Sequence, residues 1–268
     1  MELGCRVFAS CQSLWLPRDR PHGVLLEVLH SRLEYYDADF PTGSVYLGTR
    51  LAVSPTLAVV AEVPFTRAEV TRSFYFGELT YFGGETLGNP YLGIELNPGG
   101  SDFIAELGAR APLLGDDLPE DALQGASYVA SRADQGRFDA FANSTVPIHA
   151  ILNIRHVTEA GLLTRLRFGP VVTIPTEHHN VRDVEMHVLF GWQVGYESNK
   201  VRVGAAITGQ SLLTTIYETL GNRTRSQFEF HADFANWTIR PGVDIRLPIG
   251  TYANTVSVVY GGSLAASF

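Results

Sequence analysis

Apolar and polar residues alternate with a period of two along almost the whole chain, the pattern of a strand with one face away from water. It is clearest from Phe103 to Ala111, where Phe103, Ala105, Leu107, Ala109 and Ala111 share one face and Ile104, Glu106, Gly108 and Arg110 the other. From Thr164 to Val172, Leu166 and Phe168 oppose Arg165 and Arg167. Met186, Val188, Phe190, Trp192, Val194 and Tyr196 oppose Glu185, His187, Gln193 and Glu197. Phe228, Phe230, Ala232 and Phe234 oppose Glu229, His231 and Asp233. Extended along the chain, the pattern predicts about twelve strands, over 23–37, 43–53, 56–67, 87–97, 101–113, 145–158, 161–174, 184–197, 200–213, 226–236, 238–249 and 254–268. No helix-period segment of comparable length competes.

The connections alternate as well. Tight turns fall at Ser54-Pro55, Asn97-Pro98-Gly99-Gly100, Thr158-Glu159-Ala160-Gly161, Ser198-Asn199 and around Asn236. Between them run longer polar connections over 38–42, 68–86, 114–144, 175–183, 214–225 and 250–253. An even number of strands with alternating short and long links is how transmembrane β-barrels are wired. A soluble sandwich also alternates apolar and polar positions, but nothing in it segregates loops by length. Most of the strands exceed the roughly 9–11 residues that a tilted strand needs to cross a bilayer. The reading is therefore all-β: a closed antiparallel transmembrane β-barrel over 23–268, preceded by an irregular lead-in over 1–22.

In such a barrel the apolar face meets lipid and the polar face lines the interior. The outward set then includes Leu57, Val59, Ala61 and Val63, Leu92, Ile94 and Leu96, Val201, Val203, Ala205 and Ile207, and Val243, Ile245 and Leu247. Glu27 is the one plain charge assigned to the lipid side. The inward cations are Arg32, Arg50, Arg110, Arg155, Arg165, Arg167, Arg202, Arg240 and Arg246. The inward anions are Glu34, Glu62, Glu95, Glu106, Glu185, Glu197, Glu229, Asp233 and Asp244, with His231 among them. Buried charges must pair or stay wet. Two interiors satisfy that condition: a hydrated pore, or a barrel closed by ion pairs.

Composition removes several alternatives. The chain is 45% hydrophobic, yet no stretch approaches the roughly 18 consecutive apolar residues of a membrane helix. Charged residues at 18%, with 26 glycines, argue against disorder and coiled coil. A net charge of -8 gives no reason to expect a nucleic-acid partner. Cys5 and Cys11 are too few for a disulfide framework and badly placed for a zinc site. The opening Met-Glu-Leu-Gly-Cys-Arg lacks the basic and long apolar regions of a secretion signal. It fits either a cytoplasmic protein or a chain from which an export signal is absent.

The last strand carries a resemblance. Val256-Ser257-Val258-Val259-Tyr260-Gly261-Gly262-Ser263-Leu264-Ala265-Ala266-Ser267-Phe268 ends in Phe268, with Ala266, Leu264 and Tyr260 at alternate positions before it and Gly262 as a weak member. It resembles the C-terminal strand of Gram-negative outer-membrane β-barrel proteins. That resemblance implies a cell outer membrane location, the lipid bilayer as solvent and recognition by the barrel-assembly machinery. By size and strand number the chain is similar to twelve-stranded monomeric barrels, a group spanning nucleoside channels, acidic-sugar channels and the outer-membrane phospholipase. Architecture alone does not choose among them.

Candidate chemistry is thin. The phospholipase resemblance implies a His and a Ser two residues apart on an outward face, but His30 and Ser31 are adjacent and point to opposite faces. His156 faces outward without such a serine. His231 shares the inner face with Glu229 and Asp233, a spacing open to acid–base or metal chemistry as well as to a plain polar network. Glu177-His178-His179-Asn180 reads as a solvated loop. The acidic 114–144 connection, with Asp116, Asp117, Glu120, Asp121, Asp134 and Asp139, lacks EF-hand spacing but is long enough to fold inward. Tyr75, Phe76, Tyr81 and Phe82 form an outer aromatic girdle or a loop cluster. No phosphate-cradling glycine loop opens a helix, and no cofactor is expected.

Three functions follow in order. The first is a small-solute channel or transporter with a charged lumen, needing no cofactor and no catalytic residue. The second is a non-conducting barrel that serves as a membrane anchor or assembly partner for another outer-membrane protein. The third is a lipid-acting hydrolase with His231 or His156 as its base.

Overall fold

A computed structural model of the chain describes residues 13–16, 21–33, 37–38, 43–73, 79–96, 102–114, 134, 136–142, 144–176, 184–214, 223–250 and 256–268. Strands run over β1 His22–Leu33, β2 Asp37–Ala38, β3 Gly43–Ser54, β4 Leu57–Ser73, β5 Leu79–Leu87, β6 Tyr91–Leu96 and β7 Phe103–Arg110. A short 3-10 turn, Phe138–Phe141, precedes β8 Thr145–Val157, β9 Leu162–Pro175, β10 Glu185–Glu197, β11 Val201–Leu212, β12 Thr224–Phe234, β13 Ile239–Ile249 and β14 Val256–Ser267. β2 is a two-residue bridge onto β4, and β5 and β6 both pair with β4 as successive parts of one stave. The wall therefore has twelve staves.

The sheet closes on itself. β1 pairs with β3 on one side and with β14 on the other, every pair antiparallel. His22 and Phe268 exchange two backbone hydrogen bonds of 3.1 Å where the first and last strands meet. With no open edge among the described strands, the ladders pair backbone donors and acceptors right round the wall, which is the condition for strands to sit in hydrocarbon. The tight links at Ser54–Leu57, Val157–Leu162, Glu197–Val201 and Phe234–Ile239 lie at the end of the barrel where β1 begins and β14 ends.

The alternation sets the faces. Leu92, Phe103, Leu107, Val203, Val243 and Ile245 of the outward register are exposed on the outer surface, and Leu57, Val59, Val201 and Ile207 are half-buried on the same face. On the last strand Tyr260, Leu264 and Phe268 point the same way, and Ala266 lies on that face between them.

Two readings of the sequence need correction. In β1 the register is the reverse of that expected: Leu25, Glu27, Leu29 and Ser31 face inward and are buried, while Arg32 is exposed. Both faces of this strand are rich in leucine and valine, so polarity alone could not orient it. Glu34 lies outside the described residues. The 68–86 connection is also mostly strand, since β4 continues to Ser73 and pairs with β5 from Phe65↔Leu87 to Ser73↔Leu79.

Gly88-Asn89-Pro90 interrupts the fourth stave, and the interruption has a use. The Asn89 backbone N–H donates to the Ala140 carbonyl at 2.7 Å, and its side-chain amide donates to the Ala142 carbonyl at 2.6 Å. Its Oδ1 accepts from the N–H groups of Leu113 and Leu114 at 3.0 and 3.1 Å. A Cβ on Gly88 would stand 2.5 Å from the Ala140 carbonyl oxygen, so only glycine lets the 138–142 segment dock here.

Candidate functional site

The interior of this barrel is not empty. From the long-loop end, the segment around Asp134–Ala142 folds into the lumen, and from the terminal end residues 13–16 do the same. Both are held by side chains of the inner face.

Arg137 is the centre of the first insertion. Its guanidinium donates to Asp134 at 2.5 Å, to Glu62 at 3.0 Å and to Glu27, and lies 3.6 Å over the Tyr46 ring. Arg246, from the far side of the barrel, donates to Asp134 at 2.5 Å and also reaches Glu27. Arg110 bridges Glu62 at 2.8 Å and Asp139 at 3.0 Å, and Asp139 meets His149 Nε2 at 2.6 Å. Four carboxylates thus face three guanidiniums and one imidazole, in a chain that crosses the lumen from β8 to β13. Partners this buried cost several kcal/mol each to desolvate, and only full pairing offsets that. Phe138 packs on an apolar patch of the inner wall made by Val60, Tyr91, Ile151, Val171 and Leu189, and Phe141 sets its ring edge-on to Tyr46.

The inserted charges respond as the geometry requires. Burial alone would raise the Asp134 carboxyl, but Arg137 and Arg246 outweigh it and hold the group well below the usual carboxylate range. Asp139 is depressed likewise, with Arg110 and His149 opposing its burial. Asp134, Glu27 and Glu62 together hold Arg137 well above the ordinary guanidinium value despite its burial.

The second insertion centres on Trp15, which is 1% exposed. Its indole stacks on His231 at 4.4 Å and 12°, and its Nε1–H donates to Glu229 at 3.2 Å. Arg202 donates to the Trp15 carbonyl at 3.0 Å and Arg165 to the Leu14 carbonyl at 2.8 Å. Between the two insertions lies a cavity with about 20 Å³ of room for water centres, lined by Ser13, Asp134, Arg137, Arg167, Glu229 and Arg246 among others. Roughly 10–15 Å³ holds one water, so this space takes a water or two rather than a solute.

The remaining inner-face charges fall as follows. Arg50 pairs with Glu95 at 2.7 Å, Arg155 with Glu197 at 2.5 Å, and Arg202 with Asp233. Glu106 accepts from the Tyr91 hydroxyl, Arg240 donates to Ser267 at 3.0 Å, and Asp244 meets His231 Nδ1 at 2.8 Å. Arg167 is buried beside the cavity. Glu185 stands at the end of its strand with its side chain 48% exposed, 3.5 Å from His187, and so lies at a mouth rather than along the lumen. His231 offers no general base to a hydroxyl, because Nδ1 faces Asp244 and Nε2 faces Asp233 at 3.0 Å. His156 is exposed on the outside, 3.2 Å from Asp102. Among the described residues no cluster of metal-ligating side chains occurs. Asp116, Asp117, Glu120, Asp121, Tyr75, Phe76 and the 177–180 motif lie outside the described residues, as do the side chains of Tyr81 and Phe82.

Trp15, Glu27, Arg137 and His149 are among the interior residues that sequence reasoning missed. A signal existed for Trp15, since Leu14-Trp15-Leu16 is an apolar triplet inside an otherwise irregular lead-in.

No protein-family model matches the chain, and no curated protein matches it in sequence. Solved structures do match in fold. An outer-membrane channel from Pseudomonas putida F1 aligns with a TM-score of 0.57 at 10% identity, covering 96% of this chain and 99% of that one. The NanC porin aligns at 0.53 and 7%, covering 91% and 100%, and the KdgM porin at 0.51 and 9%, covering 92% and 99%. At such identities the likeness carries the fold: a closed outer-membrane β-barrel, whose apolar exterior belongs in the outer membrane.

Proposed function

We propose that this barrel is a small-solute channel of the outer membrane, closed at rest by its two inserted segments. The observation that carries the reading is the character of the lumen. Its wall is charged on both sides, and what fills it among the described residues is two chain segments held mainly by ion pairs and hydrogen bonds, with Phe138 and Trp15 as apolar contacts, rather than a continuous interdigitated apolar core. Segments held this way can leave and expose a polar path, whereas a packed apolar core cannot. The fold shared with porins and channels supports the same reading. The C-terminal residues Tyr260, Leu264, Ala266 and Phe268 are read as the signal to the barrel-assembly machinery.

The test is single-channel conductance in a planar bilayer, with folding first verified by heat-dependent gel mobility. The full chain is expected to give rare, brief openings. A variant lacking residues 1–16 and carrying Arg137→Gln is expected to give sustained discrete steps. Silence from that variant, properly folded, would overturn the channel reading. It would favour the non-conducting barrel acting as anchor or assembly partner, which the wall-to-wall ion pairing of the lumen also suits.

Closure should depend on pH in a definite direction. Asp134 faces Arg137 and Arg246, with Glu27 sharing both guanidiniums, and Asp139 faces Arg110 and His149. Both aspartates are depressed in the docked segment, so their contribution is complete above the ordinary carboxylate value of about 4. It is lost as pH falls through the depressed values. The full chain should therefore stay closed from neutral pH to about 4 and open only in stronger acid. Opening between about pH 7 and 5 would overturn the aspartate latch and assign closure to another titratable group.

A further inference from the structure

The contacts of Trp15 describe more than a stopper. Its seat is held together by residues that do not need it. The floor is the His231 ring, fixed in plane by Asp244 at 2.8 Å and Asp233 at 3.0 Å on its two nitrogens. The acceptor is Glu229, whose Oε1 takes hydrogen bonds from Gln227 at 3.0 Å and from Thr208, leaving Oε2 to face the indole N–H. Space beside the floor comes from Gly204, where a Cβ would come within 3.2 Å of two atoms of the Trp15 ring. Two guanidiniums, on Arg165 and Arg202, close the other side by donating to successive backbone carbonyls of the insertion.

Resting on the channel reading above, we infer that this seat is a binding site for a small solute, and that Trp15 occupies it as an internal mimic. The chemistry selects a planar aromatic ring bearing an N–H or O–H donor, joined to a carbonyl or carboxylate group. The ring takes the face of His231, the ring donor takes Glu229, and the oxygens take Arg165 and Arg202. A seat already ordered by its own hydrogen bonds loses little entropy on filling, which favours a ligand over a purely structural contact. It also gives opening a cause: a solute that fills the seat displaces the segment that blocks the path.

The probe is indole-3-acetate, which carries both an indole N–H and a carboxylate, with cyclohexaneacetate as the control that lacks ring face and donor. Binding is measured by titration calorimetry on the detergent-folded full chain carrying Trp15→Ala. That variant is expected to bind indole-3-acetate about tenfold more tightly than the natural chain does, and about tenfold more tightly than it binds cyclohexaneacetate. Adding Glu229→Gln is expected to weaken the binding severalfold. Should Trp15→Ala fail to fold, Trp15→Phe gives the same ordering in smaller measure, because it keeps the stack and lacks the indole donor. Equal binding of both acids, or none by a folded variant, would overturn the inference. Conductance separates the two readings. Sustained steps without aromatic binding would sink only the seat, and binding without steps in any variant would sink the channel.

Discussion

In a chain lacking residues 1–16, replacing Arg137 with glutamine is expected to release the 134–142 segment from the lumen and raise the open probability by a factor of about 10²–10³. The magnitude follows from what is left behind. Arg137 neutralises Glu27, Glu62 and Asp134, all buried. Removing one partner of a buried ionic cluster costs about 3–5 kcal/mol, because the remaining charges stay desolvated and uncompensated. The cost falls on the docked arrangement, since an undocked segment returns Asp134 to water and opens the lumen around Glu27 and Glu62. At about 1.4 kcal/mol per decade that is two to three orders of magnitude in the docked population. Arg246 still holds Glu27 and Asp134, so the wall itself should remain folded and the heat-dependent gel shift should persist. Arg137→Lys is expected to fall between, because an ammonium keeps the charge but cannot reach three carboxylates in the fork geometry of a guanidinium. Unchanged opening in the glutamine variant would show that the segment is held by its other contacts, Phe138, Phe141, Asn89 and the Asp139 and Asp134 pairs with Arg110 and Arg246, rather than by Arg137.

The wall of this molecule was legible from the chain because its cause is local. A strand between lipid and a polar lumen must alternate, and β7, β9, β10 and β12 do so along most of their length, with Glu106, Arg165, Arg167 and Glu229 buried on the inner face. β1 failed for the same reason: Val24, Leu26 and Val28 face Leu25 and Leu29 across one backbone, and nothing in that strand says which side is wet. What closes the lumen has a non-local cause. Arg137 matters because a loop brings it against strands at 27 and 62, and Trp15 because a lead-in reaches His231 and Glu229. No spacing in the sequence records those meetings. That part of the 114–144 connection folds inward was legible from its length; its key cation was not, because an arginine among acidic loop residues looks like any solvated one.

Once both segments have left, Arg165 and Arg167 should set ion preference. They sit two residues apart on the inner face of β9, both buried, with Arg155 beside them on β8. Glu62, Glu95 and Glu106 line the strands from β4 to β7 on another part of the wall. In the variant lacking residues 1–16 and carrying Arg137→Gln, the carbonyl that Arg165 holds at Leu14 is gone, and an incoming anion takes its place. A unit charge about 4 Å from a passing ion is worth about 1 kcal/mol even with the screening of bulk water. Neutralising both residues to glutamine is therefore expected to lower the anion-to-cation permeability ratio by about tenfold, read as a reversal-potential shift under a salt gradient. The shift should shrink between about 0.1 and 1 M salt, where the screening length falls from about 10 to 3 Å. That dependence separates a through-space effect from a change in pore width, which would alter conductance at every salt concentration. A reversal potential that does not move, in a channel of normal conductance, would take Arg165 and Arg167 out of the ion path.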